Sequence, residues 1–210
     1  KTQDKPNGIA EAFIIGKDFI GEDHVALILG DNIFNGIDFS IEEIQQFKNQ
    51  NGAKVFVYEV PDPERYGVAE IKNGNVISIV EKPKKPKSNF AITGLYFYDN
   101  NVIKYALSLK PSKRNELEIS DINRIYLSKK QLSVKELGNG VVWLDAGTFI
   151  SLLQSSQYIQ TLQDRQNTLI GSPEEIAYLK NYIQKKDLKK LIMKYSKNAY
   201  GRYLSKLINK

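Results

Sequence analysis

The sequence predicts an α/β fold in which a mixed sheet is flanked by helices and followed by a helical appendage. Three observations support this prediction. Short apolar runs alternate with helical patterns over the first 150 residues, two of these runs end in an aspartate and a turn, and strand patterns stop at Thr148. We therefore expect an α/β domain over residues 1–150 and an all-helical segment over residues 151–210.

The first part of the α/β domain alternates between helix and strand. Residues 8–18 carry apolar side chains at helical spacing, and residues 25–30 form a continuous apolar run typical of a parallel strand buried on both faces. A helix is expected from about Ser40 to Asn49, and residues 53–60, rich in valine and aromatic side chains, predict a strand. This order is typical of a strand, helix, strand unit.

The second part contains a hairpin. Residues 68–72 and 76–82 flank Asn73-Gly74-Asn75, whose Asn-Gly pair predicts a tight antiparallel turn. A strand is expected next at 91–98, followed by helices at 100–109 and 121–129, the second capped by Ser120 or Asp121. A further hairpin is expected from strands at 132–137 and 141–144, joined through Gly138-Asn139-Gly140. The remaining helices are expected near 151–163, 173–184, 188–195 and 199–208.

Composition and charge exclude several classes of function. The sequence has no cysteine, which excludes disulfides, thiolate catalysis and cysteine zinc sites and is compatible with the cytoplasm, where we expect the protein. The net charge is +6, but residues 180–210 hold ten lysines and arginines against Asp187 alone, so the remainder is slightly acidic. We therefore expect no nucleic-acid partner, and without an apolar run of membrane length we expect no membrane partner.

Two aspartates are the first candidates for chemistry. Asp31 follows the apolar run at 25–30, and Asp145 follows the run at 141–144. Open α/β sheets hold ligands beyond the ends of such strands, and Mg²⁺ prefers one or two carboxylates together with phosphate oxygens and water. The pair therefore predicts a metal-phosphate site. The residue types leave a second interpretation open, in which Asp31 opens a turn with Asn32 and Asp145 caps a helix near Thr148.

Further candidates are residues that a phosphate or sugar can approach. Glu81 and Lys82 end a strand just before a proline, which favours extended backbone there, and a lysine at that rim could neutralise phosphate. Gly67 lets a ligand come close to the backbone, whereas Gly94, inside a strand, indicates either a ligand or a bulge. The only histidine, His24, is interpreted as structural, so a Ser-His-Asp hydrolase is not expected.

Six sequence blocks, taken in their order and spacing, carry a family resemblance. They are Leu29-Gly30-Asp31-Asn32, Asp62–Val68, Glu81-Lys82-Pro83, Thr93–Asp99, Glu116–Asn123 and Trp143–Thr148. Together they resemble the glucose-1-phosphate thymidylyltransferase family, and the similarity runs over essentially the whole chain. The resemblance implies a Rossmann-like nucleotidyltransferase fold, transfer from dTTP to glucose 1-phosphate giving dTDP-glucose and pyrophosphate, Mg²⁺ as cofactor, a homotetramer, and a place in rhamnose and related deoxysugar pathways.

The resemblance also implies roles for individual residues. Asp31 and Asp145 hold the magnesium ion and act in catalysis with Lys82, while Gln3 and Gly8 read the thymine. The other residues implied at the substrates are Asn32, Tyr66, Gly67, Glu81, Ile92, Gly94 and Arg114. The family's Gly-x-Gly-Thr-Arg loop, implied to grip the triphosphate, has no counterpart in this sequence. A non-catalytic sugar-nucleotide-binding or regulatory module is therefore the alternative prediction.

Overall fold

The computed structural model describes residues 1–37, 39 and 41–208, which divide into two compact units, Lys1–Asp145 and Ala146–Lys210. The first unit is a mixed sheet flanked by helices, which confirms the predicted fold class. That the α/β part and the helical part act as separate domains, with a boundary near residue 150, stays a prediction. Within the described ranges, no helix combines the length and apolar character needed to cross a membrane.

The first unit contains short helices and strands in a mixed order. Its helices are α1 (Glu11–Ile15), α2 (Lys17–Ile20), α3 (Ile41–Asn49), α4 (Asn101–Ser108) and α5 (Ile119–Ser128). Its strands are β1 (Val25–Ile28), β2 (Asn32–Asn35), β3 (Ala53–Glu59), β4 (Gly67–Lys72), β5 (Asn75–Glu81), β6 (Phe90–Tyr98), β7 (Leu132–Glu136) and β8 (Val142–Asp145), with a 3₁₀ turn at Pro63–Arg65. Ser40, the predicted start of α3, lies outside the described residues.

The strands form two sheets. The larger has the order β5-β4-β6-β3-β7, with β1 also pairing along β6; β3 and β7 run parallel, and its other pairs are antiparallel. The smaller sheet pairs β2 with β8. The predicted β4–β5 hairpin is confirmed, because Asn73 and Gly74 take the positive φ values of 52° and 73° that a tight hairpin turn requires.

Both faces of the large sheet are covered by apolar side chains. On one face, Phe13 of α1 and Tyr126 of α5 are buried with Tyr98 of β6. On the other face, Phe56 of β3 packs with Phe97, which follows from the alternation of side chains along a strand. Phe13 and Tyr98 meet edge to face, with ring centroids 5.3 Å apart. The sheet therefore has an apolar layer on each of its faces.

Three predictions of secondary structure are wrong. β1 is antiparallel to residues 95–98 of β6, and its side chains alternate between partly buried and exposed, so it is not a parallel strand buried on both faces. An apolar run indicates that a segment can be buried, but whether the strand is parallel or antiparallel depends on its neighbour, which here is β6. Strands β7 and β8 do not pair with each other, because the turn at 138–140 takes the chain from the large sheet to the small one. The helix predicted at 8–18 is two helices that meet at Gly16.

The second unit is helical, as the sequence indicated from Thr148 onward. Its helices are α6 (Phe149–Gln166), α7 (Pro173–Leu179), α8 (Lys185–Lys194) and α9 (Ala199–Ile208). Thr148 caps α6 by accepting a hydrogen bond from the Ser151 backbone N–H at 3.1 Å. Ser172 caps α7, in which Pro173 takes the first helical position as predicted. The helix near Thr148 is thus capped by a threonine and not by Asp145.

Candidate active site

The two candidate aspartates come together at one end of the small sheet. Asn32 lies directly opposite Asp145 across β2 and β8, and Asp31 immediately precedes Asn32. Directly opposed residues in an antiparallel pair have Cβ atoms only about 4.5–5.5 Å apart. The pairing of β2 with β8 therefore brings both carboxylates to the same end of this ribbon, although they are far apart in the sequence.

The carboxamide of Asn32 joins three parts of this site. Its Oδ1 atom accepts hydrogen bonds from the Gly94 backbone N–H at 2.9 Å and from the Trp143 Nε1–H at 2.6 Å. Its Nδ2 atom donates to Asp31 Oδ1 at 2.8 Å. Because a neutral amide makes the bond to Asp31, that carboxylate is oriented while its charge is left for a cation.

Gly94 lies where the β3–β6 pairing is irregular. The register shifts between Val55 and Val57 of β3, opposite the stretch of β6 that contains Gly94, which agrees with the bulge that the sequence left open. A Cβ atom on residue 94 would lie 2.5 Å from the Cγ and Oδ1 atoms of Asn32. The group that needs a glycine at this position is therefore the Asn32 carboxamide, which is part of the chain itself.

Asp145 faces the side chain of Arg65, which was not among the residues predicted from the sequence to act in the site. Its carboxylate is 19% exposed, and Oδ2 lies 3.6 Å from Arg65 Nη2. Arg65 also donates from Nη1 to Asp62 at 2.9 Å, and its guanidinium lies 5.2 Å from the centre of the Tyr66 ring. The hydrogen bond to Asp62 is the main cause that raises the pKa of Arg65, so this cation is permanent.

Tyr66 and Trp143 connect the two aspartates through an aromatic contact. Their ring centroids are 5.1 Å apart. Burial is the main cause that raises the pKa of Tyr66. The positive charge of Arg65 lowers this pKa, whereas the negative charge of Asp145 and the hydrogen bond to Asp145 raise it further. The phenol therefore stays protonated. Trp143 was missed from the sequence, although its position two residues before Asp145 in a strand places both side chains on the same face.

A second group of predicted residues surrounds Glu81. Gly67 pairs with Glu81 across β4 and β5, and a Cβ atom on Gly67 would lie 3.0 Å from Ser120 Oγ and 3.1 Å from Glu81 Oε2. The Ser120 hydroxyl donates a hydrogen bond to the Glu81 carboxylate. Ile92 lies beside Gly67 with its side chain in the core. The structure therefore brings Gly67, Glu81 and Ile92 together.

Ser120 has a different role from the predicted one. The sequence suggested Ser120 or Asp121 as the cap of α5, but the capping position is Glu118, which makes no side-chain capping bond. Ser120 lies inside the helix and is only 1% exposed, and its hydroxyl points to Glu81. A serine near a helix start is the usual signal for a cap, so the sequence pattern alone could not indicate this contact.

The two predicted phosphate-side cations have different surroundings. Arg114 pairs with Glu116 at 2.9 Å and lies 3.7 Å from Glu81 and 3.8 Å from Glu118, so a phosphate would compete with carboxylates. In the part of the chain that the structure describes, no carboxylate pairs with the exposed ammonium of Lys82. Lys82 has a φ of 42°, so the extended backbone predicted before Pro83 is wrong for this residue. A positive φ is uncommon for a lysine and often marks a position held for function.

Gln3 and Gly8, the predicted thymine readers, are neighbours. Gln3 Nε2 donates to the Gly8 carbonyl at 3.0 Å and to Glu11 Oε2 at 2.6 Å. These bonds occupy the amide nitrogen, so Gln3 Oε1 is the atom left to accept a hydrogen bond. Gly8 has a φ of 105°, and a Cβ atom there would overlap the backbone of Leu117. Glu11, which holds Gln3, was missed because nothing in its local pattern distinguishes it from a solvated helix residue.

The donor set of Asp31 and Asp145 fits a hard divalent cation. Within residues 1–37, 39 and 41–208, no group of three or more aspartate, glutamate, histidine or cysteine side chains is placed to hold a metal ion. Two carboxylates would therefore leave the remaining positions to phosphate oxygens and water. That arrangement is typical of Mg²⁺ bound together with a nucleotide.

Comparisons with known proteins identify the family of this chain. The family model described as Nucleotidyl transferase matches residues 1–161. The glucose-1-phosphate thymidylyltransferases of Neisseria meningitidis and Neisseria gonorrhoeae are 49% and 51% identical to the chain over 210 residues, which is 100% of this chain and 73% of each relative. A Mycobacterium tuberculosis protein of the same name is 44% identical over the same share of both chains.

Solved structures give the same result for the fold. A Bacillus anthracis crystal structure, described as a glucose-1-phosphate thymidylyltransferase in complex with sucrose, matches with a TM-score of 0.68 and 48% identity. The match covers 75% of this chain and 63% of that one, so the chain spans less than two thirds of that protein. A UDP-glucose pyrophosphorylase complexed with UDP-glucose matches with a TM-score of 0.65 at 24% identity, which shows the shared fold alone.

Proposed function

The chain belongs to the nucleotidyl transferase family, among the glucose-1-phosphate thymidylyltransferases, and on that basis we propose that it transfers a thymidylyl group from dTTP to glucose 1-phosphate. The products are dTDP-glucose and pyrophosphate. The observation that supports this proposal most strongly is that relatives 49% and 51% identical to all 210 residues carry this name. A cytoplasmic location and a homotetramer stay predictions.

The proposed reaction needs positioning and charge neutralisation. A phosphate oxygen of glucose 1-phosphate attacks the α-phosphorus of dTTP in line, and pyrophosphate leaves from the opposite side. Because the attacking oxygen is already ionised, no general base is required. This agrees with a sequence that has no cysteine and whose only histidine, His24, lies just before β1.

We assign the metal role to the carboxylates at the end of the β2–β8 ribbon. Asp31 and Asp145 would hold Mg²⁺, which supplies positive charge to the phosphates when it is bound. Asn32 supports this assignment because it orients Asp31 through a hydrogen bond of 2.8 Å without neutralising it. Tyr66 keeps its proton and holds Asp145 through a hydrogen bond.

The remaining residues are assigned to the two substrates. Lys82 is proposed to neutralise charge on the phosphates, since its ammonium is exposed at the end of β5. Glu81, fixed by Ser120, is proposed to accept hydrogen bonds from sugar hydroxyls. The substrate-side residues that complete this assignment are Asn32, Gly67, Ile92 and Arg114 for the sugar phosphate, and Gln3 and Gly8 for the thymine, whose imide N–H would meet Gln3 Oε1. Gly94 is proposed to act through Asn32, to which its backbone N–H donates.

The experiment that tests this proposal measures pyrophosphate and dTDP-glucose together. The purified chain is incubated with dTTP, Mg²⁺ and glucose 1-phosphate, and a matched reaction omits the sugar phosphate. We expect both products in equal amounts and only with both substrates present. Calorimetric binding of dTDP-glucose that is saturable, without any pyrophosphate release, would instead support the non-catalytic binding module.

A further inference from the structure

We propose that Arg65 is the resident counter-ion of Asp145 and competes with the divalent cation for that carboxylate. The inference rests on the proposed metal role of Asp145 and adds a control on how tightly that metal binds. Its basis is the pair formed by Arg65 Nη2 and Asp145 Oδ2, which lie 3.6 Å apart. A guanidinium therefore already faces one of the two carboxylates to which the cation would bind.

Arg65 is held in place by contacts other than Asp145. It donates from Nη1 to Asp62 at 2.9 Å, and its guanidinium lies over the ring of Tyr66 at 5.2 Å. Arg65 also ends the 3₁₀ turn that begins at Pro63, so its backbone is fixed close to Tyr66. These contacts keep the guanidinium near the site even after a cation has replaced it at the Asp145 carboxylate.

The contact between Arg65 and Asp145 is electrostatic and can be displaced. A separation of 3.6 Å is longer than a hydrogen bond, so a cation that replaces Arg65 at Asp145 breaks no hydrogen bond there. Asp145 keeps its other neighbour, Tyr66, whose ring packs on Trp143. Exchange of one cation for the other therefore leaves the carboxylate in its position.

The charge balance explains what this arrangement does. Asp31, Asp145 and Asp62 together carry three negative charges, and Arg65, which pairs with both Asp62 and Asp145, reduces the local sum to two. The guanidinium therefore weakens the attraction of the site for a divalent cation that binds alone. A cation that arrives with a triphosphate brings the missing negative charge. Removing the guanidinium should therefore tighten binding of the free cation by about three- to tenfold, because solvent at a side chain 39% exposed screens the repulsion.

The test measures binding of Mn²⁺ alone, without nucleotide or sugar phosphate. Free Mn²⁺ is counted by electron paramagnetic resonance, and quenching of Trp143 fluorescence locates the bound ion, since Trp143 is the only tryptophan. We expect Arg65→Gln to lower the Mn²⁺ dissociation constant about three- to tenfold and Arg65→Lys, which keeps the charge, to change it by less than about twofold. The matched control is Arg124→Gln, which removes an equal charge from an exposed pair with Asp121.

The outcomes separate this inference from the proposed function. If Asp145→Asn abolishes Mn²⁺ quenching but Arg65→Gln leaves the affinity unchanged or weaker, the competition is overturned and the metal site stands. If the wild type shows no saturable Mn²⁺ binding that depends on Asp145, the metal role fails and the inference fails with it. Arg65→Met, which removes the charge but keeps a long side chain against Tyr66, must tighten Mn²⁺ binding as well, and it replaces Arg65→Gln if that variant unfolds.

Discussion

Asn32 and Asp145 face each other directly across β2 and β8, and the side chain of Asn32 also holds Asp31. Asn32 thus links the two carboxylates of the proposed metal site, one by strand pairing and the other by a hydrogen bond. Its carbonyl oxygen is bound by the Gly94 N–H and the Trp143 Nε1–H, so its position is fixed from two strands. The geometry of the site consequently depends on contacts that no local sequence spacing encodes.

Replacing either carboxylate of the site should abolish most of the activity. We expect Asp31→Asn and Asp145→Asn each to lower kcat by roughly a hundredfold or more, because each removes half of the charge that would hold the metal. Initial rates of pyrophosphate release check this. Asp121→Asn, at a partly exposed position of α5 where Asp121 pairs with Arg124, is the control and should retain wild-type turnover. Unchanged turnover in Asp31→Asn would remove that residue from the site.

Asn32 should contribute to stability as well as to the site. Asn32→Ala leaves the Trp143 and Gly94 donors without their acceptor, and each unpaired buried donor costs about 1–3 kcal/mol. We therefore expect the free energy of unfolding to fall by about 2–4 kcal/mol, measured by urea denaturation followed through Trp143 fluorescence. Asn51→Ala, at an exposed turn, should change it by less than about 0.5 kcal/mol. Equal stabilities of the two variants would contradict the hydrogen-bonding role of Asn32.

Gly94 should tolerate a methyl group poorly because of Asn32. A Cβ atom at Gly94 would lie 2.5 Å from the Asn32 side chain, so Gly94→Ala should destabilise the chain by about 1–3 kcal/mol. At Gly138 a Cβ atom would meet nothing within 4 Å, so Gly138→Ala should be neutral or slightly stabilising. The cost of Gly94→Ala should shrink in an Asn32→Ala background, and a double-mutant cycle with no coupling would show that Asn32 is not the cause.

The sequence predicted the elements that are determined locally. Asn73 and Gly74 predicted the β4–β5 hairpin because their positive φ angles favour that turn. Pro173 and the acidic residues after it predicted the start of α7 in the same way. Both signals depend on residues within one turn of the chain, which is why they can be read without knowledge of the rest of the fold.

The parts that the sequence did not predict depend on pairing between distant residues. The short segment Asn32–Asn35 has a polar residue at each end, and it becomes a strand because β8 pairs with it. Nothing near Arg65 indicates that it faces Asp145, since a loop brings them together. The sequence therefore indicated which residue types could act in the site, whereas the pairing of distant strands determines which of these residues lie close together.

Ser120 should affect the sugar phosphate and not the nucleotide. Its buried hydroxyl holds the Glu81 carboxylate, which is proposed to bind the sugar, so Ser120→Ala should raise the KM for glucose 1-phosphate by about three- to tenfold, as expected for loss of about one hydrogen bond. The KM for dTTP should stay within about twofold. Ser128→Ala, on the exposed end of α5, is the matched control. An equal rise in both KM values would indicate a general structural effect instead.

Buried tyrosines should make the fold sensitive to alkaline pH. Burial, followed by a hydrogen bond to Asp99, raises the pKa of Tyr126, and burial raises that of Tyr98. Because the folded pKa values exceed the unfolded value of about 10, both tyrosines contribute their full stability below pH 10 and lose it as the pH rises further. Each such group adds about 1.4 kcal/mol per pH unit to this decline.

The contribution of Tyr126 to this decline can be isolated from the slope of the unfolding free energy against pH. Tyr126→Phe loses the 2.6 Å hydrogen bond to Asp99 and so lowers stability at neutral pH, but it also removes one ionisable group. The free energy of unfolding, measured between pH 9.5 and 11, should therefore fall less steeply, by a difference that approaches about 1.4 kcal/mol per pH unit at the upper end of this range. Tyr182→Phe, whose side chain is exposed, should keep the wild-type slope. A slope in Tyr126→Phe equal to that of the wild type would show that Tyr126 ionises as easily in the folded chain as in the unfolded one.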